Sequence, residues 1–478
     1  MKKITFLLLH LLALASTACS NADNPSVDGR QAVTELFDIV NPTAAYLMAT
    51  SNSTFFDGSP AGIDDSHFLE LRSSALSHGY RNDQPLVKTI SFHTASGGVG
   101  QVMVATDVEF ANPVLTKQVK LKPDAIGTFQ LVNLVPGITY YYRVMLERET
   151  LASGTFKATG QLRMIKANSG WNIRDLGGWT GWGGRKVRYE WLYRGGSLGG
   201  QNVNHQTYVM DDADLLELER IGIRAQLDLR ALPGQGAWPK DPKLNAYTLG
   251  YSPLPQAEFL NLAADFALYD ACSCSAAVGS VAWVIKQVKA GNPVYFHCRT
   301  GADRTGLLAY TLLGLLGCEE TPGPSLQSSQ IALDYELTSL GLDEQGTIEL
   351  NTTGQHSNHY SNRYAHDIAT MPYNYFRTLR SLQPAIPISL SNFQEQCYYY
   401  LNRYFSDNDV ATAGRVCINK SDLDWFVNFM LGITDHDGNL TPGHTIKFEG
   451  PNWAVDHADN TLEQAYLLAA NLQYCQLE

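Results

Sequence analysis

Apolar and polar positions alternate with a period of two from Leu134 to Val144, around a Pro136-Gly137 turn. This predicts a strand that carries Ile138, Tyr140, Tyr142 and Val144 on one face. Such a face needs a core. Shorter alternating runs at Thr89–His93, Gln101–Ala105, Lys117–Leu121 and Gly154–Ala158 predict further strands. Residues 32–165 therefore read as a β-sandwich, best supported over 85–165, with 32–84 adding strands or a loop-rich cap. Farther along, the period changes. Pro293-Val294-Tyr295-Phe296 is an unbroken apolar run of strand length, and Arg304–Leu316 is an apolar run of helix length. A strand at Ala246–Gly250 and a helix precede them. Residues 340–410 read as helical and rich in aromatic residues, from His356–Tyr364 through Tyr373, Tyr375 and Phe376 to Tyr398, Tyr399, Tyr400, Tyr404 and Phe405. Helix core and surface account for these rings; a lid over a ring-lined pocket is the alternative. A last helix is expected over Thr461–Cys475, inside an extension of residues 436–478. No internal repeat is visible.

The 478 residues, 44% hydrophobic and 17% charged, suffice for two or three packed domains. A formal charge of −12 and the lack of any basic stretch argue against nucleic-acid binding. An anionic substrate must be attracted locally. At the N-terminus, Lys2-Lys3, the apolar run Ile4–Ala15 and small residues up to Cys19 read as a secretory signal too short to span a membrane. Residues 20–31 read as a polar tether. Ser16-Thr17-Ala18-Cys19 resembles a bacterial lipobox, with serine where leucine is usual. That resemblance implies lipidation of Cys19, an extracytoplasmic lipoprotein at the periplasmic or cell surface, and membrane association through the anchor alone; simple cleavage is the alternative. Of eight cysteines, none is assigned to a disulfide, and Cys272 and Cys274 are too close in sequence to pair readily.

The chemistry concentrates in His297-Cys298-Arg299-Thr300-Gly301-Ala302-Asp303-Arg304-Thr305. A tight loop between a buried strand and a buried helix aims its amides and the helix N-terminus at one point, where a phosphoryl group fits. Arg304 can grip two phosphate oxygens with its planar fork. The same positive surroundings lower a cysteine pKa from about 8.5 towards roughly 3.5 to 7.5, so Cys298 becomes a thiolate able to attack phosphorus. Taken alone, Cys298 reads as a core residue; the arginine at this separation makes it a nucleophile. No metal or organic cofactor is called for, and His356, His359 and His366 are not spaced as a metal site.

The stretch resembles the C-x5-R signature of cysteine-dependent phosphatases, and Asp303-Arg304-Thr305-Gly306 resembles the bacterial tyrosine phosphatase branch. Asn172-Ile173-Arg174-Asp175-Leu176-Gly177-Gly178, Leu192-Tyr193-Arg194-Gly195-Gly196-Ser197-Leu198, Leu227-Asp228-Leu229-Arg230 and Asp334-Tyr335-Glu336-Leu337 follow that branch in order. The resemblance implies an α/β tyrosine phosphatase-like domain over 166–435, a central sheet flanked by helices, behind the β-sandwich. It departs at Ala302, where the family has lysine, while Arg299 adds a cation after the cysteine. The loop residues His297, Arg299, Thr300, Gly301 and Ala302 are expected to hold phosphate. Thr305 is either a first-turn helix residue or a hydroxyl donor to the sulfur, and the resemblance favours the donor. Asn172, Arg174, Asp175, Asp228 and Arg230 are expected beneath the cradle. The turn at Pro136-Gly137 with Tyr140 resembles a fibronectin type III corner, which implies a spacing or docking module.

A leaving group needs a proton. Asp303 is the first candidate, as the branch places an aspartate there, and Asp228 is the second. Trp238-Pro239-Lys240-Asp241 is set aside, since an extra lysine interrupts the tripeptide and the loop comes one strand early. Glu258, Asp265 and Asp270 are either acids on a swinging loop or solvated carboxylates. The expected reaction is phosphate monoester hydrolysis through phosphocysteine, on phosphotyrosine in a protein or on a small phosphate ester. Phosphoinositide or inositol phosphate hydrolysis is the alternative, and phosphate binding without turnover is the alternative of another class.

Overall fold

The alternating residues form strands whose inward faces share one core. In the computed structural model they are β1 (Glu35–Asp38), β2 (Lys88–Thr94), β3 (Gly98–Ala105), β4 (Leu115–Leu121), β5 (Ala125–Leu131), β6 (Thr139–Leu146) and β7 (Glu149–Thr159), with helix α1 (Pro42–Ala49) after β1. A five-stranded sheet runs β1-β7-β6-β3-β4, and β2 pairs with β5 in a second. Ile90, Phe92, Phe129 and Leu131 from the small sheet meet Val102, Val104, Tyr140, Val144 and Phe156 from the large one. Tyr140 lies in that core, and its hydroxyl accepts the Val135 amide at 2.9 Å across the Pro136-Gly137 turn. The expected shared face is corrected at one position. Ile138 is exposed, because it precedes the strand and spends its backbone on closing the turn against Ala158.

The structure describes residues 34–49, 70, 81–198, 200–201, 207–208, 210–230, 252–262, 274–298, 301–318, 330–340, 393–402, 405–406, 415–416 and 418–450. The expected signal and tether, Cys19, the strand at 246–250, Trp238–Asp241, Asp265, Asp270, most of the aromatic stretch and the helix at 461–475 lie outside them. So do Arg299 and Thr300. The chain divides into Met1–Glu35 and a compact unit, Leu36–Glu478.

The second sheet positions the chemistry. It is built from β8 (Arg174–Asp175), β9 (Leu192–Gly195), β10 (Ala225–Asp228), β11 (Glu258–Asn261) and β12 (Val294–His297), in the order β11-β10-β12-β9-β8. The first four strands in that order are parallel, and β8 is antiparallel to β9. Strands buried on both faces read as continuous apolar runs, which is why Val294-Tyr295-Phe296 shows no alternation. Val294, Phe296, Leu227 and Leu192 face a large core. Helices α3 (Cys274–Lys289), α4 (Asp303–Leu315), α5 (Gln330–Glu336), α6 (Phe393–Asn402) and α7 (Lys420–Met430) contribute to it. Tyr295 and Tyr193 face a smaller core with Leu218 and Ile221 at α2 (Asp212–Arg220). Helices thus cover both faces of a mixed sheet, as in an α/β phosphatase domain. Beyond α7, Phe448 packs into the large core, and its amide donates to Asn428 Oδ1 at 2.7 Å.

Candidate active site

All four parallel strands end at one edge, and the polar residues collect there. Asp228 of β10 pairs with His297 of β12 and with Asn261 of β11, while Gly195 of β9 pairs with His297 from the other side. Cys298 follows at once, 2% exposed, and α4 starts five residues later. The helix has no side-chain cap at Ala302, so its first-turn amides are left to another acceptor. That is the arrangement that binds anions.

The loop is held from behind. Gly301 has φ +72°, and a Cβ there would lie 2.4 Å from the Gly195 carbonyl carbon. Only glycine allows both that conformation and that approach. The Gly301 carbonyl accepts Arg194 Nη2 at 2.8 Å and Asn172 Nδ2 at 3.2 Å. Arg194 and Arg174 both grip Asp334, Arg174 through Nε at 3.0 Å and Arg194 through Nη1 at 2.5 Å. Arg174 also donates to Asn172 Oδ1. Burial alone would raise the Asp334 pKa, but Arg174 and Arg194 outweigh it and hold the carboxyl below its ordinary range. Burial, and then the neighbouring Arg194, lower the Arg174 pKa to about 10, so it stays charged at neutral pH. Two cations thus share the Asp334 carboxylate behind Gly301, and the buried Asp83 carboxylate also acts on Arg174.

On the nucleophile side a buried relay fixes the strand end. Ser252 Oγ donates to Gln226 Oε1. Gln226 Nε2 lies 2.8 Å from His297 Nε2, and His297 Nδ1 lies 2.9 Å from the Cys298 carbonyl oxygen. The amide must donate, so the ring carries its proton on Nδ1 and donates it to Cys298 O. Burial lowers the His297 pKa to about 4, against the pull of Asp228. The ring is thus neutral at physiological pH. Its bond to the Cys298 carbonyl ties the ring to the backbone at the strand end.

Asp228 is buried and chelated by Arg230, whose Nη2 lies 2.7 Å from Oδ2. Burial raises its pKa, but Arg230 and His297 prevail, and the group is held below its ordinary value. A carboxyl so held is a poor proton donor, which suits positioning rather than acid catalysis. Arg304 Nη1 donates to Leu229 O at 3.2 Å, anchoring the guanidinium beside the end of β10. Asp303 opens α4. Among the described residues the buried Thr305 Oγ1 has no hydrogen-bond partner, so the expected donation to the sulfur is not made in this structure. Glu258 takes the solvated one of its two expected readings. It begins β11 opposite Ala225, exposed, three residues before the edge where Asn261 meets Asp228. At about 3.3 Å per residue it stands roughly 10 Å from the site edge, as a solvated carboxylate.

Asn172 has φ +55°, and its amide donates to Asp83 Oδ2 at 2.7 Å. Asp175 faces away from the cradle, towards Arg163 Nη1 at 2.9 Å. Sequence reasoning quoted Arg194 and Asp334 within motifs without giving them roles, and it missed Gln226, Asn261 and Arg163. A lone glutamine in Ala225-Gln226-Leu227 was the available signal for the first, since a polar side chain inside an apolar strand must find a partner.

Residues 165–393 match the model of the tyrosine phosphatase family. A Cupriavidus necator protein that carries the provisional name tyrosine-protein phosphatase is 28% identical over 192 residues, covering 35% of this chain and 64% of that protein. The chain thus spans less than two thirds of that relative's length. The family match falls on the region that contains the cradle, and both likenesses support phosphatase activity.

Proposed function

We propose that this protein hydrolyses phosphate monoesters through a phosphocysteine at Cys298, with phosphotyrosine as substrate. The observation that carries the reading is a cysteine directly after the central strand, five residues before a helix with no side-chain cap, in a loop whose Gly301 carbonyl is held by Arg194 of the buried Arg174–Asp334–Arg194 cluster. In the first displacement the Cys298 thiolate attacks phosphorus, the P–O ester bond breaks, and the leaving oxygen takes a proton from Asp303. In the second, Asp303 takes a proton from water, the water oxygen attacks phosphorus, the S–P bond breaks, and phosphate and thiolate are released. Arg304 and the loop amides hold the equatorial oxygens. The Thr305 hydroxyl, without a partner among the described residues, supports a further donor to the bound phosphoryl group. Arg299 and Thr300, outside the described residues, are assigned to phosphate binding on sequence alone, and Arg230 and Asp228 pair at the end of β10 as supporting residues.

The seven N-terminal strands act as a sandwich of the fibronectin type III kind, carried outside the cytoplasm on lipidated Cys19. The Tyr140 hydroxyl bond across the turn supports the first part of that reading, and the charged, apolar and small-residue order before Cys19 supports the second. Turnover of a phosphotyrosine peptide beside inositol phosphates tests substrate class. Faster hydrolysis of inositol phosphates would move the assignment to them. Cys298→Ser should keep phosphate affinity and lose hydrolysis; if hydrolysis persists, the nucleophile is another group.

A further inference from the structure

Arg163 stands two residues before the family-like stretch, and no motif singles it out. It is 1% exposed and tied on every side. Its Nε donates to Leu134 O at 3.2 Å and its Nη2 to Asn133 O at 3.0 Å. Its Nη1 donates to Asp175 Oδ2 at 2.9 Å and to the Tyr193 hydroxyl at 3.1 Å. Asn133 and Leu134 lie in the turn between β5 and β6 of the N-terminal module. Asp175 and Tyr193 face each other as one rung of the β8–β9 ladder, and Arg174 and Arg194 form the next rung. Neighbouring residues of a strand point to opposite faces. One rung is therefore fastened to the N-terminal module, while the other grips Asp334 and the Gly301 carbonyl of the cradle.

We propose that Arg163 is a positioning residue for the phosphate cradle: it locks the Asp175–Tyr193 rung to backbone carbonyls of the N-terminal module, and so fixes the Arg174–Arg194 rung that holds Gly301. This inference rests on the phosphatase reading for its effect on turnover. It makes the N-terminal module a built-in part of the site rather than a spacer. Asn133 strengthens the junction, since its side chain takes the Lys166 amide at 2.6 Å and donates to Glu217 at 2.8 Å.

The test uses the full chain and a double-mutant cycle. Arg163→Lys and Tyr193→Phe are each made alone and together with Arg194→Lys. The readouts are kcat and KM for p-nitrophenyl phosphate, tungstate affinity by calorimetry, and thermal unfolding. Tyr398→Phe is the control, because that hydroxyl bonds Asp424, away from the ladder. Arg163→Lys should lower kcat and tungstate affinity by between about tenfold and about 10²-fold at temperatures where it is fully folded. Added to Arg194→Lys it should cost little more, since coupled positions do not add. The control should shift only the unfolding temperature. Folded Arg163→Lys with wild-type kcat and affinity, or losses that simply multiply, would overturn the proposal. If Arg163→Lys fails to fold, the cycle with Tyr193→Phe decides by the same criteria. A wild-type chain that hydrolyses no ester but shows coupled tungstate binding would sink the phosphatase reading and leave the positioning role standing.

Discussion

Substituting alanine for Gly301 perturbs the cradle at one defined point. The residue sits at φ +72°, and an added Cβ would come within 2.4 Å of the Gly195 carbonyl carbon and 2.5 Å of its oxygen, where ordinary contacts begin near 3.4 Å. Both atoms are backbone, at the end of β9 and braced by Ile173 and Tyr295, so they cannot swing aside as a side chain would. The loop must therefore retreat by about 1 Å, and a displacement of that size at a reacting centre costs about 10²-fold in rate. The left-handed conformation adds roughly 1 to 2 kcal/mol of destabilisation for a residue with a Cβ. Steady-state kinetics with p-nitrophenyl phosphate, tungstate titration and thermal unfolding measure the three effects separately. We expect kcat/KM to fall about a hundredfold and tungstate binding to weaken, with the fold retained. Activity within a few-fold of wild type would refute the claim that the close packing of Gly301 on Gly195 sets the cradle.

Asp334→Asn leaves Arg174 and Arg194 buried without their counter-charge, which should destabilise by about 3 to 5 kcal/mol and lower the melting temperature by roughly 10 °C; an unchanged melting temperature would show that the pair is solvated. His297 has a folded pKa of about 4 against an ordinary value of 6.5, so the folded state binds fewer protons between those limits and stability falls as pH drops through that window. At about 1.4 kcal/mol per pH unit the loss reaches roughly 3 kcal/mol by pH 4, and the unfolding free energies of wild type and His297→Asn, from denaturant titrations at each pH, should differ in their slope against pH by about 1.4 kcal/mol per unit within that window. Parallel slopes would show that the ring titrates normally. Asp303→Asn should slow alkyl phosphates more than activated aryl phosphates, since only poor leaving groups need the proton; equal losses would move the acid elsewhere.

The candidate site was legible because its elements are local. Cys298, Gly301 and Arg304 lie within seven positions, and strand, loop and helix follow directly from apolar run lengths. The N-terminal strands were legible for the same reason, since Tyr140 and Val144 keep a period of two, but the exposure of Ile138 depends on how the turn closes against Ala158. The support beneath the cradle was not legible. Arg174, Arg194 and Asp334 are separated by as many as 160 residues, and only the folded sheet brings them together. Arg163 was the least visible, because its partners include the backbone carbonyls of Asn133 and Leu134, and a carbonyl has no residue-type signature.

The most direct test of the central claim is rapid-quench mass spectrometry of the chain during turnover of p-nitrophenyl phosphate. We expect one phosphoryl group on the peptide containing Cys298, formed and lost at rates consistent with kcat and absent in Cys298→Ser. Steady turnover with no such adduct, or with the phosphoryl group on another residue, would contradict the account.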